Sequence, residues 1–204
     1  MSRERFSGHW YIRLRYNDMR ILFVCTGNIC RSPMAELMLP QFLTDSGITA
    51  DSAGIRGLPQ HPIDPYSARL LAHAHIDATA FRSKRLTPQI ADAADLILGF
   101  EPWHVSEVES LAPPKARRTF LLTDFANICD HCFQHGLLTS STAQNRLISA
   151  AEHASLIRPF LPKAQAILDP YRQNYAVFVE IGNAIRHALT RIAHATAGYC
   201  QETS

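Results

Sequence analysis

The chain of 204 residues is 47% hydrophobic and 19% charged, and its formal net charge at pH 7 is +2. That length and composition predict a globular protein with a substantial core in one domain. The charge is too small and too scattered to indicate a nucleic-acid partner. The apolar run Ile21 to Cys25 is far shorter than the roughly 20 residues of a membrane-spanning helix, so membrane insertion is not expected either.

Residues 1–18 contain four arginines and no apolar segment, so they do not resemble a secretory signal. We expect them to form a flexible N-terminal extension, or to reflect a start upstream of Met19, and we expect a single domain over residues 19–204. The five cysteines are an odd number, which favours a reduced, cytoplasmic protein over a disulfide framework.

Short apolar runs alternate with helical patterns along the rest of the chain. Four segments are predicted as strands: residues 19–25, 48–53, 96–100 and 119–122. The first of them shows no alternation, as expected of a buried parallel strand. Helices are predicted after the first three strands and at the C-terminal end: from Pro33, over 65–73, over 105–111 and from about 171. Pro40 is expected to shorten the first of them.

This alternation of strands and helices is typical of an α/β fold. We predict a doubly wound, four-stranded parallel sheet flanked by helices, with ligands bound beyond the carboxyl ends of the strands. Residues 125–168 have no strand pattern, and we interpret them as a helical insertion before the last helix, within the same domain.

The first strand ends at Cys25 and is followed by the sequence TGNICRSP. A thiol and an arginine six positions apart, Cys25 and Arg31, can flank one tetrahedral anion if the intervening loop curls around it. The backbone N–H groups of a loop that opens a helix point at such an anion, and the same positive helix end favours a thiolate. Arg31 offers a planar fork to two oxygens of the anion. We therefore predict a phosphate loop over residues 25–31, with Cys25 as the nucleophile.

The other residues of this region have predicted supporting roles. Gly27 is expected to permit a close backbone approach or a positive φ angle. The side chain of Asn28 is expected to lock the loop through hydrogen bonds, and the Ser32 hydroxyl to stabilise the thiolate. The predicted substrate-binding residues of the loop are Thr26, Gly27, Asn28, Ile29, Cys30 and Ser32.

A thiolate that displaces a phosphate ester also needs an acid that protonates the leaving group. Asp169, followed by Pro170, is the best candidate in the sequence. Asp169 is predicted to lie directly before the last helix, with Pro170 in its first turn. The alternative is that Asp169 only caps that helix.

Three segments together resemble the low-molecular-weight protein tyrosine phosphatases: VCTGNICRSP at 24–33, DSAG at 51–54 and DPY at 169–171. The resemblance implies that Cys25 forms a phosphocysteine and that Arg31 binds the transition state. It implies that Asp169 acts first as general acid and then as general base. It also implies that neither a metal nor an organic cofactor takes part.

The resemblance extends to the surroundings of the loop, with departures. It implies that Ser52 belongs to the hydrogen-bond network around Asn28 and that Tyr171 lines the mouth of the site. Phe81 stands where vertebrate members have a histidine in that network, so we expect the rigidity of the loop to come from other residues. The tryptophan that some relatives carry after the DSAG turn is absent as well.

Ile29 bears on the substrate that the resemblance implies. Relatives that act on phosphoarginine carry threonine at this position, whereas an apolar side chain suits the flat ring of phosphotyrosine. The continuation DPYR at 169–172 resembles bacterial phosphatases that reset the tyrosine kinases of polysaccharide export, so such a kinase is the expected protein substrate and partner. Residues 117–126, followed by the long insertion, resemble actinobacterial members.

Two other functions remain open from the residues alone. An arsenate reductase of the same fold would share Cys25 and Arg31 but would need further cysteines for a disulfide relay. Only Cys129 and Cys132 are placed to serve as that relay. A non-catalytic phosphotyrosine-binding module would need neither Cys25 nor Asp169.

Two groups of cysteines have both a functional and a structural interpretation. The resemblance implies that Cys30 can trap oxidised Cys25 as a disulfide, and the alternative is that Cys30 is only a small buried side chain. Cys129, Cys132 and His135 have a spacing found among metal ligands, but no second CxxC pair completes a tetrahedral site. No metal site is predicted.

Overall fold

The computed structural model describes residues 19–44 and 46–197, so the predicted extension over residues 1–18 lies outside the described residues. The four predicted strands are present, each within one residue of its predicted bounds. They form one parallel sheet of order β2-β1-β3-β4, in which the strands are β1 Met19–Cys25, β2 Ile48–Gly54, β3 Leu96–Gly99 and β4 Thr119–Leu121. The predicted fold class is confirmed.

Helices cover both faces of this sheet. The described helices are α1 Arg31–Met38, α2 Pro65–His73, α3 Pro88–Asp92, α4 Pro102–Leu111, α5 Leu122–Gln134, α6 Ala143–Ile157 and α7 Tyr175–Thr196, with short 3-10 helices at Leu39–Gln41, Pro113–Arg118 and Arg158–Phe160. Ile21 and Phe23 of β1 belong to the core formed with α1, α5, α6 and α7. Leu22 and Val24 belong to the opposite core, formed with α3 and α4. Because alternate side chains point to opposite faces, β1 is buried on both, which explains the unbroken apolar run from Ile21 to Cys25.

The first helix begins earlier than predicted and ends as predicted. α1 starts at Arg31, with Cys30 as its N-cap, instead of at Pro33. It ends at Met38 because Pro40 has no N–H group to continue the helical hydrogen bonds, and the chain goes on as a 3-10 turn. Arg31 therefore belongs to the first turn of a helix and not to the loop before it.

The last helix begins later than predicted. α7 starts at Tyr175, where the side chain of Asn174 caps the helix by accepting a backbone N–H hydrogen bond of 3.2 Å. A start near residue 171, with Pro170 in the first turn, was wrong. Arg172 has a φ angle of 65°, and this left-handed conformation interrupts any right-handed helix.

Residues 125–168 contain the helical structure that the sequence predicted, and its interpretation as an insertion stays a prediction. α5 and α6 pack against each other and against α7, and they contribute to the same core as α1. After them, the N–H of Ile167 donates to the carbonyl of Phe100 just beyond β3 (2.8 Å). This segment therefore reaches the carboxyl edge of the sheet. Within the described residues, no helix has the length and apolar character needed to cross a membrane.

Candidate active site

The predicted phosphate loop lies at the carboxyl end of β1, directly before α1. The sulfur of Cys25 accepts a hydrogen bond from the N–H of Asn28 (3.3 Å) and lies 3.0 Å from the hydroxyl oxygen of Ser32. Only 2% of Cys25 is exposed, so water does not compete strongly for the sulfur. Hydrogen-bond donors around a sulfur stabilise its ionised form.

Asn28 is the centre of the hydrogen-bond network that holds this loop. Its φ angle of 56° lies in the left-handed region, which asparagine tolerates better than most residues. Its Nδ2 donates to the hydroxyls of Ser32 (2.9 Å) and Ser52 (2.7 Å). Its Oδ1 accepts from the N–H of Lys84 (2.7 Å). Since Ser32 accepts a bond from Asn28, its own hydroxyl proton is free to point at the sulfur of Cys25.

Gly27 does not have the conformation that the sequence predicted. The left-handed residue of the loop is Asn28, and a Cβ added at Gly27 would meet Ile29 at an ordinary distance of 3.5 Å. The close approach occurs at Gly54 instead, where an added Cβ would lie 2.8 Å from the backbone nitrogen of Asn28. The DSAG segment at the end of β2 needs this glycine because it lies against the phosphate loop.

A carboxyl group of α1 extends the network away from the loop. The hydroxyl of Ser52 donates to Oε2 of Glu36, and burial raises the pKa of Glu36. Because a carboxylate only accepts, Glu36 fixes Ser52 as a donor towards itself and as an acceptor from Asn28. Phe81, which is 8% exposed, has no polar atom for this network. Glu36 therefore supplies part of the rigidity that was expected to come from other residues.

Arg31 contacts residues from three segments, and only 1% of its side chain is exposed. Its Nη1 donates to Oε1 of Glu101 (2.5 Å) and to the carbonyl of Ile167 (2.9 Å). Its Nη2 contacts the hydroxyl of Thr26 (3.2 Å) and Oδ2 of Asp169 (3.0 Å). Its buried Nε has no hydrogen-bond partner among the described residues. A buried unpaired N–H is costly, so Nε is suited to an anionic ligand.

Glu101 and His104 lie just beyond the carboxyl end of β3, and no sequence motif identified them. Nδ1 of His104 accepts hydrogen bonds from the N–H groups of Phe100 (3.3 Å) and Glu101 (3.1 Å). The ring proton therefore sits on Nε2, which lies 3.2 Å from the hydroxyl oxygen of Thr26. Burial and the charge of Arg31 lower the pKa of His104 to about 4. A neutral His104 thus holds the hydroxyl that also contacts Arg31.

This histidine is expected to make the stability of the protein depend on pH. Its pKa falls from 6.5 in the unfolded chain to about 4 in the folded one, so the unfolded state binds more protons between these values. The contribution of the neutral His104 to the free energy of unfolding is complete above pH 6.5 and is lost as the pH falls towards 4. Between pH 7 and pH 4.5, urea unfolding should show a loss of about 2–3 kcal/mol that the His104→Asn variant lacks.

A matched control uses a histidine away from this site. His187 is exposed in α7, and His187→Asn should keep the wild-type change in unfolding free energy over this pH range. If His104→Asn and the wild type lose the same free energy of unfolding between pH 7 and pH 4.5, the buried neutral ring of His104 is not the cause of the pH dependence.

A pocket of about 260 Å³ opens over the phosphate loop. The predicted residues that line it are Cys25, Thr26, Gly27, Ile29, Cys30, Asp169 and Tyr171, and the lining also includes Arg56, Leu58 and His61. The remaining predicted residues do not line the pocket but are buried beside it: Asn28, Arg31, Ser32 and Ser52. The structure therefore brings the loop and the distant Asp-Pro-Tyr segment to one place.

Cys129 and Cys132 lie away from this pocket. Both are completely buried in α5 among apolar side chains. Burial raises the pKa of Cys129, and it raises the pKa of Cys132 to about 11. Such thiols are poor nucleophiles at neutral pH. Within the part of the chain that the structure describes, no three His, Cys, Asp or Glu side chains are grouped to hold a metal ion.

Comparison with known proteins identifies relatives of the chain. Residues 20–133 match the family model of low molecular weight phosphotyrosine protein phosphatases. The low molecular weight protein-tyrosine-phosphatase Etp of Escherichia coli K12 is 38% identical over 109 residues, which are 53% of this chain and 71% of the relative. The protein-arginine-phosphatase of Bacillus subtilis is 33% identical over 109 residues, which are 52% of this chain and 72% of the relative.

A solved structure shows the same similarity in three dimensions. The structure of Vibrio vulnificus Wzb in complex with benzylphosphonate matches with a TM-score of 0.64 and 26% identity, over 87% of this chain and 98% of that chain. The family model covers the phosphate loop and ends inside α5, so Asp169 lies outside the matched residues.

Proposed function

The chain belongs to the low molecular weight phosphotyrosine protein phosphatase family, and from this membership we propose that it hydrolyses phosphotyrosine through a phosphocysteine intermediate. One observation carries the proposal. The thiol of Cys25, surrounded by hydrogen-bond donors, shares a pocket with Asp169, and Asp169 contacts the buried Arg31 at 3.0 Å. A nucleophile, an anion-binding group and an acid are thus within reach of one phosphate.

The first step transfers the phosphoryl group to the enzyme. The thiolate of Cys25 attacks phosphorus, a sulfur–phosphorus bond forms, and the bond from phosphorus to the tyrosine oxygen breaks. Asp169, in its protonated form, gives its proton to that oxygen, so tyrosine leaves as a neutral phenol. Nε and Nη2 of Arg31 bind two phosphoryl oxygens as charge develops on them. The Ser32 hydroxyl, 3.0 Å from the sulfur, stabilises the thiolate before the attack.

The second step releases phosphate. The carboxylate of Asp169 takes a proton from a water molecule, whose oxygen attacks phosphorus. The sulfur–phosphorus bond breaks, inorganic phosphate leaves, and Cys25 returns to the thiolate. Asp169 ends the cycle protonated, ready for the next substrate. Its side chain is 40% exposed, so water has access to it.

The choice of phosphotyrosine over phosphoarginine is part of this proposal, because relatives of both kinds are similar to the chain. Ile29 lines the pocket with an apolar side chain, and Tyr171, which is 46% exposed, adds an aromatic ring to the lining. An apolar and aromatic wall suits a phenyl ring better than a guanidinium group, which needs hydrogen-bond acceptors.

This proposal is tested with one peptide carrying either phosphotyrosine or phosphoarginine. The wild type should show a kcat/KM at least about tenfold higher for the phosphotyrosine peptide, and Ile29→Thr should reduce that ratio by about tenfold, as expected for an altered pocket wall. Ile90→Thr, a change of the same kind at a half-buried position in α3, should leave the ratio unchanged. A wild-type preference for phosphoarginine would contradict the proposed substrate.

We propose that the substrate is a phosphoprotein. A bacterial tyrosine kinase of polysaccharide export is the finer prediction, supported by the resemblance of the DPYR sequence at 169–172. The arsenate reductase alternative is not favoured, because Cys129 and Cys132 are buried in α5 and do not line the pocket of Cys25. A binding module without catalysis would have no use for Asp169 beside that thiol.

A further inference from the structure

One wall of the pocket is formed by the segment that follows β2, and it carries an exposed cation. Arg56, Leu58 and His61 are the lining residues of this segment, and we call them the rim. All three are exposed, Leu58 to 64%. A substrate peptide that places its phosphotyrosine over Cys25 must therefore pass the rim.

The rim is held rigidly against the rest of the molecule. The hydroxyl of the buried Ser83 donates to the carbonyl of Leu58. The N–H of His61 donates to the Ser83 hydroxyl oxygen (3.0 Å), and the N–H of Ser83 donates to the carbonyl of His61 (2.8 Å). Gln60 adds a bond of 2.9 Å from its N–H to the carbonyl of Ser83. A surface fixed in this way loses little conformational entropy when it binds a partner.

Arg56 is fixed beside the phosphate loop by its backbone and its side chain. Its N–H donates to the carbonyl of Thr26 (2.8 Å), and the neighbouring Ile55 N–H donates to the carbonyl of Cys25 (3.0 Å). The guanidinium group lies over the ring of Trp103, 5.7 Å from its centroid. This cation–π contact orients the group without using its N–H donors.

The charge of Arg56 is not neutralised within the described residues, where its side chain has neither an ion pair nor a hydrogen bond. The carboxylate that shares the pocket, Asp169, is paired with Arg31. An exposed, oriented and unpaired guanidinium at the mouth of a pocket is suited to a carboxylate of a ligand.

Resting on the proposed function, we propose that Arg56 binds an acidic side chain next to the phosphotyrosine, so that the preferred substrates are phosphotyrosine segments flanked by aspartate or glutamate. Leu58, exposed beside it, contacts the apolar part of the same segment. The phosphate itself is served by the loop and by Arg31, so Arg56 contributes to the choice of peptide and not to the chemical step.

The test compares three phosphotyrosine peptides that differ only in the flanking residues, which are glutamate, alanine or lysine. For the wild type, kcat/KM should fall in that order. Arg56→Gln should reduce the ratio of the glutamate to the alanine peptide by about two- to fivefold, the range of an exposed ion pair, and Arg56→Glu should reverse the order. In about 0.5 M salt the wild-type ratio should shrink, because exposed charges are screened.

Two controls separate this proposal from its alternatives. p-Nitrophenyl phosphate has no flanking residue, so Arg56→Gln should lower its kcat/KM by less than it lowers that of the glutamate peptide. Arg117→Gln removes the same charge at an exposed position on the 3-10 helix Pro113–Arg118 and should keep the wild-type peptide ratios. An equal loss on all substrates in Arg56→Gln would mean that Arg56 binds the phosphate, which overturns the proposal, as would unchanged ratios. If the wild type does not hydrolyse p-nitrophenyl phosphate at all, the proposed function fails first and this proposal with it.

Discussion

Replacing Cys25 with serine is expected to abolish the hydrolysis of p-nitrophenyl phosphate, with a loss of about 10⁵-fold or more in kcat. A serine hydroxyl is far less nucleophilic than a thiolate, and the hydrogen bonds that serve the sulfur, from the Asn28 N–H and the Ser32 hydroxyl, do not ionise an alcohol. The measurement is steady-state turnover, with and without a metal chelator, and the chelator should not change the wild-type rate.

The serine variant should lose turnover without losing its fold. Because Arg31 and the loop remain, inorganic phosphate or vanadate should still raise the melting temperature of Cys25→Ser. Cys132→Ala, which removes a buried thiol of α5, should keep its activity and so serves as the matched control. Turnover by Cys25→Ser at the wild-type rate would show that this thiol is not the nucleophile.

The part of the site that sequence could predict is local. The apolar run at residues 21–25 of β1, the loop after it and the start of α1 follow one another within residues 19–38. Strand burial, loop curvature and helix initiation there depend on neighbouring residues, so their spacing in sequence carries over into geometry. The placement of Cys25 next to Ser32 is a consequence of that order.

The surroundings of Arg31 could not be predicted in the same way. Glu101 and Ile167 contact it from positions 70 and 136 residues away in sequence, and no motif links them to it. A partial signal existed for Glu101 and His104, because both follow the carboxyl end of β3, the edge where ligands of parallel sheets bind. Which of the polar residues at that edge faces Arg31 depends on packing that the sequence does not encode locally.

The hydrogen-bond network around Asn28 ends in the carboxyl group of Glu36. The loop keeps its asparagine at a positive φ, and that strained conformation persists only when its hydrogen bonds are satisfied. With phenylalanine at position 81, the terminal acceptor is the carboxyl of Glu36, bonded directly to Ser52. Burial is the largest influence on the pKa of Glu36 and raises it. The hydrogen bond from the neutral Ser52 hydroxyl acts in the opposite direction and has a smaller effect.

Replacing Asp169 with asparagine is expected to lower kcat for phosphotyrosine peptides by roughly 10²–10⁴-fold, the usual contribution of a general acid. Asparagine is nearly the same size and still accepts hydrogen bonds, but it has no proton to give to the leaving oxygen. The loss should be smaller for phenyl phosphates whose phenols leave easily as anions. The measurement is kcat for a series of phenyl phosphates with leaving groups of increasing acidity.

This leaving-group dependence distinguishes acid catalysis from the loss of an ion pair. Asp169 contacts Arg31 at 3.0 Å, so asparagine also removes a charge beside Arg31, and that effect would change the binding of every substrate alike. Asp124→Asn removes an ion pair of similar length, 2.7 Å to Arg158, away from the pocket, and should leave kcat unchanged. A slope against leaving-group acidity that is equal in Asp169→Asn and in the wild type would exclude Asp169 as the acid, because a proton donor matters most where the leaving group is least able to depart alone.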